Sequence, residues 1–136
     1  MSVASLALRR ALHAGLTGFT PLTALLGGPK VFDEPPRTVD FPYVTLGDAQ
    51  TSDWSTDTST GHEHAVLIHI WSRQGGQSEA HLIAGELIAA LETVTLDPIG
   101  QRLINWRFAT ADIRRDDDGR TWHGVVRFRA VTEPAA

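Results

Sequence analysis

Apolar and polar residues alternate most regularly near the end of the chain, over residues 120–132. One set of alternate positions is apolar or small, namely Trp122, Gly124, Val126, Phe128 and Ala130. The intervening set is mostly polar and holds Thr121, His123, Val125, Arg127 and Arg129. A period of two residues is typical of a β-strand with one face buried against a core. We therefore predict a strand whose second face is left for water or a partner.

The segment before this strand predicts its pairing partner. Residues 102–115 are followed by Asp116, Asp117, Asp118 and Gly119. An Asp-Gly step between two extended segments is a strong hairpin signal. We expect a long antiparallel hairpin to close the chain.

Two short helices are predicted near the N-terminus. Apolar residues recur at helical spacing over about residues 3–15, where Ser2 can cap the first turn. A second helix is predicted over residues 22–26, because Pro21 suits a first turn and the Gly27-Gly28 pair suits a helix end.

A longer helix is predicted after Ser78, which we expect to be its N-cap. Its apolar residues form one stripe at i, i+3, i+4, i+7 and i+11, namely Ala80, Ile83, Ala84, Leu87 and Leu91. A single apolar stripe is typical of a helix that packs on a sheet.

Three further strands are predicted, over residues 30–33, 41–46 and 64–72. The last is the most apolar, which favours a central position in the sheet. Residues 48–61 are mostly polar, with Trp54 as the single large residue, and we interpret them as either a long loop or the projecting arm of a hairpin. The element order favours an α+β fold, in which an antiparallel sheet is covered on one face by the N-terminal and central helices.

Composition limits the class of protein. The chain has 136 residues, which fits one domain over residues 1–136. Its net charge of -4 argues against nucleic-acid binding as its main activity, since phosphate binding needs clustered positive charge. The absence of cysteine excludes disulfides and thiolate chemistry. We see no signal peptide pattern and no apolar run long enough to span a membrane, so we expect synthesis in the cytoplasm.

Candidate chemistry is weak. His62, Glu63 and His64 could start a metal site, although a solvated strand start is the simpler interpretation. His69 and His123 could act as acid or base, but histidines at such positions more often belong to a core or an interface. The acidic run at residues 116–118 could bind calcium, although it lacks the ligand spacing of an EF-hand and reads more simply as an exposed turn. We expect no cofactor.

An interaction surface is better supported than a metal site or a catalytic site. Trp54 and Asp53 lie in the polar segment, and His123, Arg127 and Arg129 share one strand face. Aromatic residues and arginine are enriched in protein interfaces. We predict these five residues as subunit-interface candidates; the alternative is that Trp54 folds back on its own domain and the arginines are solvated.

Four segments together resemble a known family. They are residues 41–47 (FPYVTLG), residues 53–56 (DWST), residues 69–72 (HIWS) before a Gly-Gly turn, and residues 118–129 (DGRTWHGVVRFR). In this order they resemble the tail-completion, or tail-terminator, proteins of long-tailed phages and gene transfer agents, over nearly the whole chain.

This resemblance implies an α+β subunit without catalytic residues. It implies a hexameric ring at the head-proximal end of the tail tube, which ends tube polymerisation and meets the head-side connector. The expected partners are further copies of the chain, the tail tube protein and the connector, with DNA passing through the ring without specific binding. The expected location is the tail of a virion or phage-like particle assembled in the host cytoplasm.

Two alternatives stay open at the level of sequence. One is another head–tail joining component, such as a stopper or an adaptor. The other is a small histidine-dependent metal-binding domain or enzyme.

Overall fold

Three helices and five strands make up the chain in a computed structural model that describes residues 3–135. In chain order they are α1 (Ala4–Thr17), α2 (Thr20–Leu26), β1 (Val31–Phe32), β2 (Tyr43–Asp53), β3 (His62–Ser72), α3 (Ser78–Thr93), β4 (Gln101–Arg115) and β5 (Trp122–Pro134). Among these residues no helix is both long enough and apolar enough to cross a membrane.

The five strands form one sheet in the order β1-β2-β3-β5-β4. The predicted C-terminal hairpin is confirmed: β4 and β5 pair antiparallel from Gln101 opposite Pro134 to Arg115 opposite Trp122. β3 is central, as its apolar sequence predicts. The sheet is mixed rather than wholly antiparallel, because the two-residue strand β1 runs parallel to β2.

Helices α1 and α3 pack on the same face of this sheet, and α2 packs against these two helices. The inward residues of β3 and β5 are those that the alternation predicts, and they form one core with the helices: Val66, Ile68, Ile70, Val126, Phe128 and Ala130. From the helices come, among others, Leu8, Leu12 and Leu16 of α1 and Ile83, Leu87 and Leu91 of α3. The predicted α+β class is confirmed, and the opposite face of the sheet carries no helix within residues 3–135.

The N-terminal helices lie close to their predicted positions. α1 extends to Thr17, two residues beyond the expected end, while the proposed Ser2 cap lies outside the described residues. Pro21 lies in the first turn of α2, as expected, and Gly27 ends that helix with a φ of 79°. Glycine suits this left-handed conformation because it has no Cβ atom.

The predicted N-cap of α3 is wrong. Ser78 is the first helical residue, and its hydroxyl donates to Gln74 Oε1 at 3.1 Å instead of accepting from the backbone. Gln74 Oε1 also accepts the backbone N–H of Glu79 at 3.1 Å. The side chain of Gln74, in the preceding turn, therefore accepts a backbone N–H of the first helical turn, which is the role that a serine N-cap would otherwise have.

The polar segment 48–61 resolves into two parts. Residues 48–53 continue β2 and pair with β3, from Ala49 opposite Val66 to Asp53 opposite His62. The start of β3 is also paired with β5, so this arm lies within the sheet and does not project from it. Only residues 54–61 form a connecting loop, which the backbone bond from Trp54 N–H to the Gly61 carbonyl closes at 2.9 Å.

One arginine ties α1 to the sheet edge. Arg9 donates to the backbone carbonyls of Leu46 and Gly47 at 2.7 and 2.9 Å, and its Nε lies 2.5 Å from Asp33 Oδ1. The guanidinium thus covers two outward carbonyl groups of β2 that no strand of residues 3–135 pairs with.

Candidate subunit-interface site

The face of the sheet without helices carries a row of stacked rings. Trp71 and His123 lie face to face, with ring centroids 4.0 Å apart and planes 8° apart, and Tyr43 stacks on the other side of Trp71 at 6.2 Å. Trp71 Nε1 donates to Thr45 Oγ1 at 3.1 Å. These contacts place the predicted interface residue His123 in a fixed, largely enclosed position.

His123 is also bonded to the second histidine of this face. Its Nε2 lies 2.7 Å from Nδ1 of His69, so one ring donates a hydrogen bond and the other accepts it. Burial lowers the pKa of both histidines, and each is therefore neutral at pH 7. Within residues 3–135 their ring nitrogens meet each other and Asp116, and they meet no serine or threonine hydroxyl. The pair thus lacks the nucleophile–base geometry that covalent catalysis needs.

Gly47 makes room for this histidine pair. A Cβ atom at position 47 would overlap the His69 ring at Nε2 and would lie a tight 3.1 Å from the Leu67 carbonyl oxygen. The irregular pairing between Leu46 and Ala49 brings the glycine against the ring. The backbone of β2 and the histidine pair therefore hold each other in place.

We expect Gly47→Ala to lower the free energy of unfolding by about 1–3 kcal/mol, because the methyl group must displace the His69 ring. Chemical denaturation followed by circular dichroism measures this change. Gly85→Ala is the matched control, since a Cβ there meets nothing within 4 Å and alanine favours the helix. Equal stability of Gly47→Ala and the wild type would contradict the close approach.

One of the two proposed metal-binding histidines, His64, has other hydrogen-bond partners. His64 is buried, with Nε2 at 2.9 Å from Thr132 Oγ1 and Nδ1 at 3.1 Å from Thr51 Oγ1. Burial also lowers the pKa of His64. Within the described residues no three histidine or carboxylate side chains lie close enough to hold a metal ion. His64 is a core histidine whose two nitrogens are both hydrogen-bonded.

The acidic run at residues 116–118 forms a turn. Asp118 Oδ1 accepts the backbone N–H groups of Arg120 and Thr121, both at 2.8 Å, and Oδ2 accepts the Thr121 hydroxyl at 2.6 Å. These bonds, led by the Thr121 hydroxyl, hold the pKa of Asp118 well below its usual range. Both carboxylate oxygens thus serve the hairpin, which favours the turn over a calcium site.

Asp53 and Trp54 lie at the far end of the β2–β3 hairpin. The Asp53 carboxylate accepts the Ser55 hydroxyl at 2.6 Å, and this bond is the main cause of its lowered pKa. The Trp54 side chain is 55% exposed and borders a groove of about 100 Å³ with Ile104 and Val131. Trp54 therefore rests partly on its own subunit and leaves half of its surface available.

Arg127 and Arg129 share the face of His123, as the alternation predicts, but each has a partner within the subunit. Arg127 Nη1 lies 2.6 Å from Asp112 Oδ2, and Arg129 Nη1 lies 3.7 Å from Glu63 Oε1. The structure therefore brings His123, Arg127 and Arg129 together on β5 and leaves Asp53 and Trp54 at a separate place. The interface role of all five residues stays a prediction.

The sequence alone does not indicate the aromatic residues and the arginines that β4 presents at the surface. Trp106 stacks on Phe128 with centroids 4.9 Å apart, and Phe108 beside it is 40% exposed. Both line a groove of about 410 Å³ between β4 and the end of α3. Arg107 and Arg114, on the other face of β4, have no carboxylate partner within residues 3–135. The apolar residues of β4 predict its inward face only when the positions of the two irregular steps in its pairing are known.

Comparison with known proteins gives consistent results. A family model described as tail completion protein gp17 matches residues 10–133. The tail completion protein gp17 of Bacillus phage SPP1 is 29% identical over 129 residues, which cover 93% of this chain and 92% of that protein.

Solved structures share the fold. A chain in the virion of a native gene transfer agent particle superposes with a TM-score of 0.89 at 28% identity, covering 98% of this chain and 99% of that chain. The structure of SPP1 gp17 superposes with a TM-score of 0.64 at 26% identity, covering 95% and 91% of the two chains. The family match spans nearly the whole fold, from within α1 to the end of β5. The chain belongs to the tail completion protein gp17 family.

Proposed function

We propose that this chain, a structural protein of a phage-like tail, forms a homo-oligomeric ring of six subunits at the head-proximal end of the tail tube. There it ends tube polymerisation and joins the tail to the head-side connector. The observation that carries this proposal is the end-to-end similarity to a chain in a native gene transfer agent virion, with a TM-score of 0.89. The similarity covers 99% of that chain, so nearly every part of each fold has a counterpart in the other.

A ring requires two different surfaces on each subunit. Head-to-tail contacts close when each copy presents one surface to the copy before it and another to the copy after it. This chain carries arginines along β4 and β5 and aspartates along β2 and its loop. Surfaces of opposite charge at two places on one fold support such an arrangement.

The proposed ring acts through binding alone. Within the part of the chain that the structure describes, the histidine pair on the open face has no hydroxyl nucleophile beside it, and the buried histidine is held by two threonines. The net charge of -4 suits a subunit beside which DNA slides without being held, because few phosphates would be neutralised. The proposed contacts are the tube protein on one side and the connector on the other.

Deletion of this chain from the producing strain tests the function. We expect tail tubes of uncontrolled length that do not join to filled heads, because nothing stops tube growth. Electron microscopy of the particles gives the tube lengths, and expression of the chain in trans is the control that restores them.

Two outcomes separate the alternatives. Tails of normal length that join to filled heads would contradict the proposal. Tails of normal length that fail to join would favour a stopper or adaptor instead, since tube growth would then end without this chain.

A further inference from the structure

The sheet has two open edges, and they differ in character. One edge is β4, a strand of fifteen residues that pairs with β5 on one side and with no strand of residues 3–135 on the other. The second edge is the outer side of β2. There β1 pairs only with Val44 and Thr45, and Arg9 covers the carbonyls of Leu46 and Gly47. The stretch of β2 that stays uncovered is therefore residues 48–53.

Both open stretches are exposed to an unusual degree for strands of a sheet. Every residue from 48 to 53 is exposed. In β4 all residues from 107 to 112 are exposed, although this stretch includes the apolar residues Phe108, Ala109 and Ala111. An exposed edge strand presents free N–H and C=O groups to other chains, and proteins normally shorten, bend or cover such strands.

The two edges carry opposite charge. β4 holds four arginines, Arg102, Arg107, Arg114 and Arg115, against one aspartate, Asp112, so its net charge is +3. Residues 43–61 hold Asp48, Asp53 and Asp57 and no lysine or arginine, so their net charge is -3. Like edges of two copies would therefore repel each other, whereas unlike edges would attract.

Ion pairing within the subunit leaves part of this charge free. Arg102 is paired with Glu133, and Arg115 lies over the Trp122 ring at 4.9 Å. Arg107 and Arg114 have no such partner among the described residues. Asp48 likewise makes no ion pair there; its charge acts to raise the pKa of His69, against the larger lowering by burial. These three residues are available to a second copy.

We propose that β4 of one subunit pairs with residues 48–53 of β2 in a second copy, so that the sheet continues from subunit to subunit. This inference rests on the proposed ring and names the surfaces that close it. Six residues of strand span about 20 Å, which provides a main-chain contact of useful length. Because each subunit has one edge of each kind, the contact is head-to-tail and can close on itself.

Charge reversal on each edge tests the pairing. One variant carries Arg107→Glu with Arg114→Glu, and the other carries Asp48→Lys with Asp53→Lys. Each should raise the protein concentration at half-assembly by about tenfold or more, since every contact in the ring then joins like charges. Sedimentation velocity measures assembly, and circular dichroism melting checks that each variant is folded.

Mixing the two variants gives the sharper result. In an equal mixture, the reversed edge of one variant faces the reversed edge of the other, and the two unchanged edges face each other. Rings should therefore return, and native mass spectrometry should find equal numbers of the two masses in each ring. Arg37→Glu with Arg120→Glu is the matched control for the arginine variant, because it makes the same charge change at exposed positions outside both strands and should leave assembly unchanged.

The outcomes separate this inference from the function on which it rests. If the wild type forms rings and both variants form them equally well, or if the mixture stays monomeric, edge pairing is overturned while the ring stands. If the wild type forms no ring at any concentration or on tail tubes, both the ring and the edge pairing are overturned.

Discussion

Replacing Phe128 with alanine is expected to lower the free energy of unfolding by about 3–5 kcal/mol, the range for removal of a buried phenyl ring. Phe128 is 1% exposed and lies in the core beneath the helices. Its ring stacks on Trp106 at 4.9 Å and meets the edge of Phe108 at 5.9 Å. The substitution leaves a cavity and removes the support of both neighbouring rings on β4. Urea denaturation monitored by tryptophan fluorescence measures the loss.

Phe108→Ala is the matched control for this substitution. Phe108 belongs to the same ring cluster but is 40% exposed, so its removal should cost about 1 kcal/mol, well below the cost at Phe128. If the two substitutions have equal effects, the hairpin does not pack on the core as the structure has it. The comparison thus tests the register of β4 against β5 as well as the depth of burial.

Stability is expected to fall as the pH drops below about 6.5. Burial lowers the pKa of His64, His69 and His123 in the folded chain, whereas in the unfolded chain they take up protons near their usual pKa. The unfolded state therefore binds more protons in this range. Their contribution to stability is complete above pH 6.5, is lost as the pH falls toward the folded-state pKa values, and then levels off.

The change of the unfolding free energy with pH has an upper limit. Each histidine that is protonated only in the unfolded chain contributes up to about 1.4 kcal/mol per pH unit, so three together contribute at most about 4 kcal/mol per unit. Solvent screening of the partly exposed rings reduces this figure. Denaturation curves between pH 5 and 7.5 give the slope, above the range in which most carboxylates titrate.

Two histidine variants check the origin of the slope. His64→Gln should flatten it, because a buried titrating group is lost while a hydrogen-bonding side chain is kept. His81→Gln, which makes the same substitution at an exposed position of α3, is the matched control. A slope that is the same in both variants would show that the buried histidine does not titrate differently in the two states.

The apolar spacing of the sequence predicts most of the fold. The alternation in β3 and β5 gives the correct inward residues, and the stripe of α3 is buried as expected. These elements are regular, so a simple period of two or 3.6 residues describes them. The hairpin signal at Asp118-Gly119 works for the same reason: Gly119 adopts a φ of 72°, which favours glycine.

Prediction fails where the local geometry departs from a fixed period. β4 has two irregular steps, between Leu103 and Asn105 and between Phe108 and Thr110. Each shifts the inward face by one residue, so Trp106 and Phe108 fall out of phase with Ala111 and Ile113. The predicted N-cap of α3 is wrong for a related reason. Gln74 accepts the backbone N–H of Glu79 from a turn whose shape the sequence does not specify.

The candidate site is only partly predictable. The two-residue spacing correctly places His123, Arg127 and Arg129 on one strand face, because alternate residues of a strand share a face. It does not show that Asp112 and Glu63 neutralise the two arginines, since those partners come from other strands. Trp71, which stacks on His123, is likewise visible only after β3 and β5 are placed side by side.

The guanidinium of Arg9 has a consequence for the symmetry of an assembled particle. Because Arg9 donates to the carbonyls of Leu46 and Gly47, it blocks strand pairing at these residues on the outer side of β2. In the proposed pairing between subunits, the strand of a second copy can extend along this side only as far as Arg9, which limits its offset in one direction. The offset between the paired strands sets the rotation between neighbouring subunits, and that rotation decides whether a series of copies closes into a ring or continues as a helix.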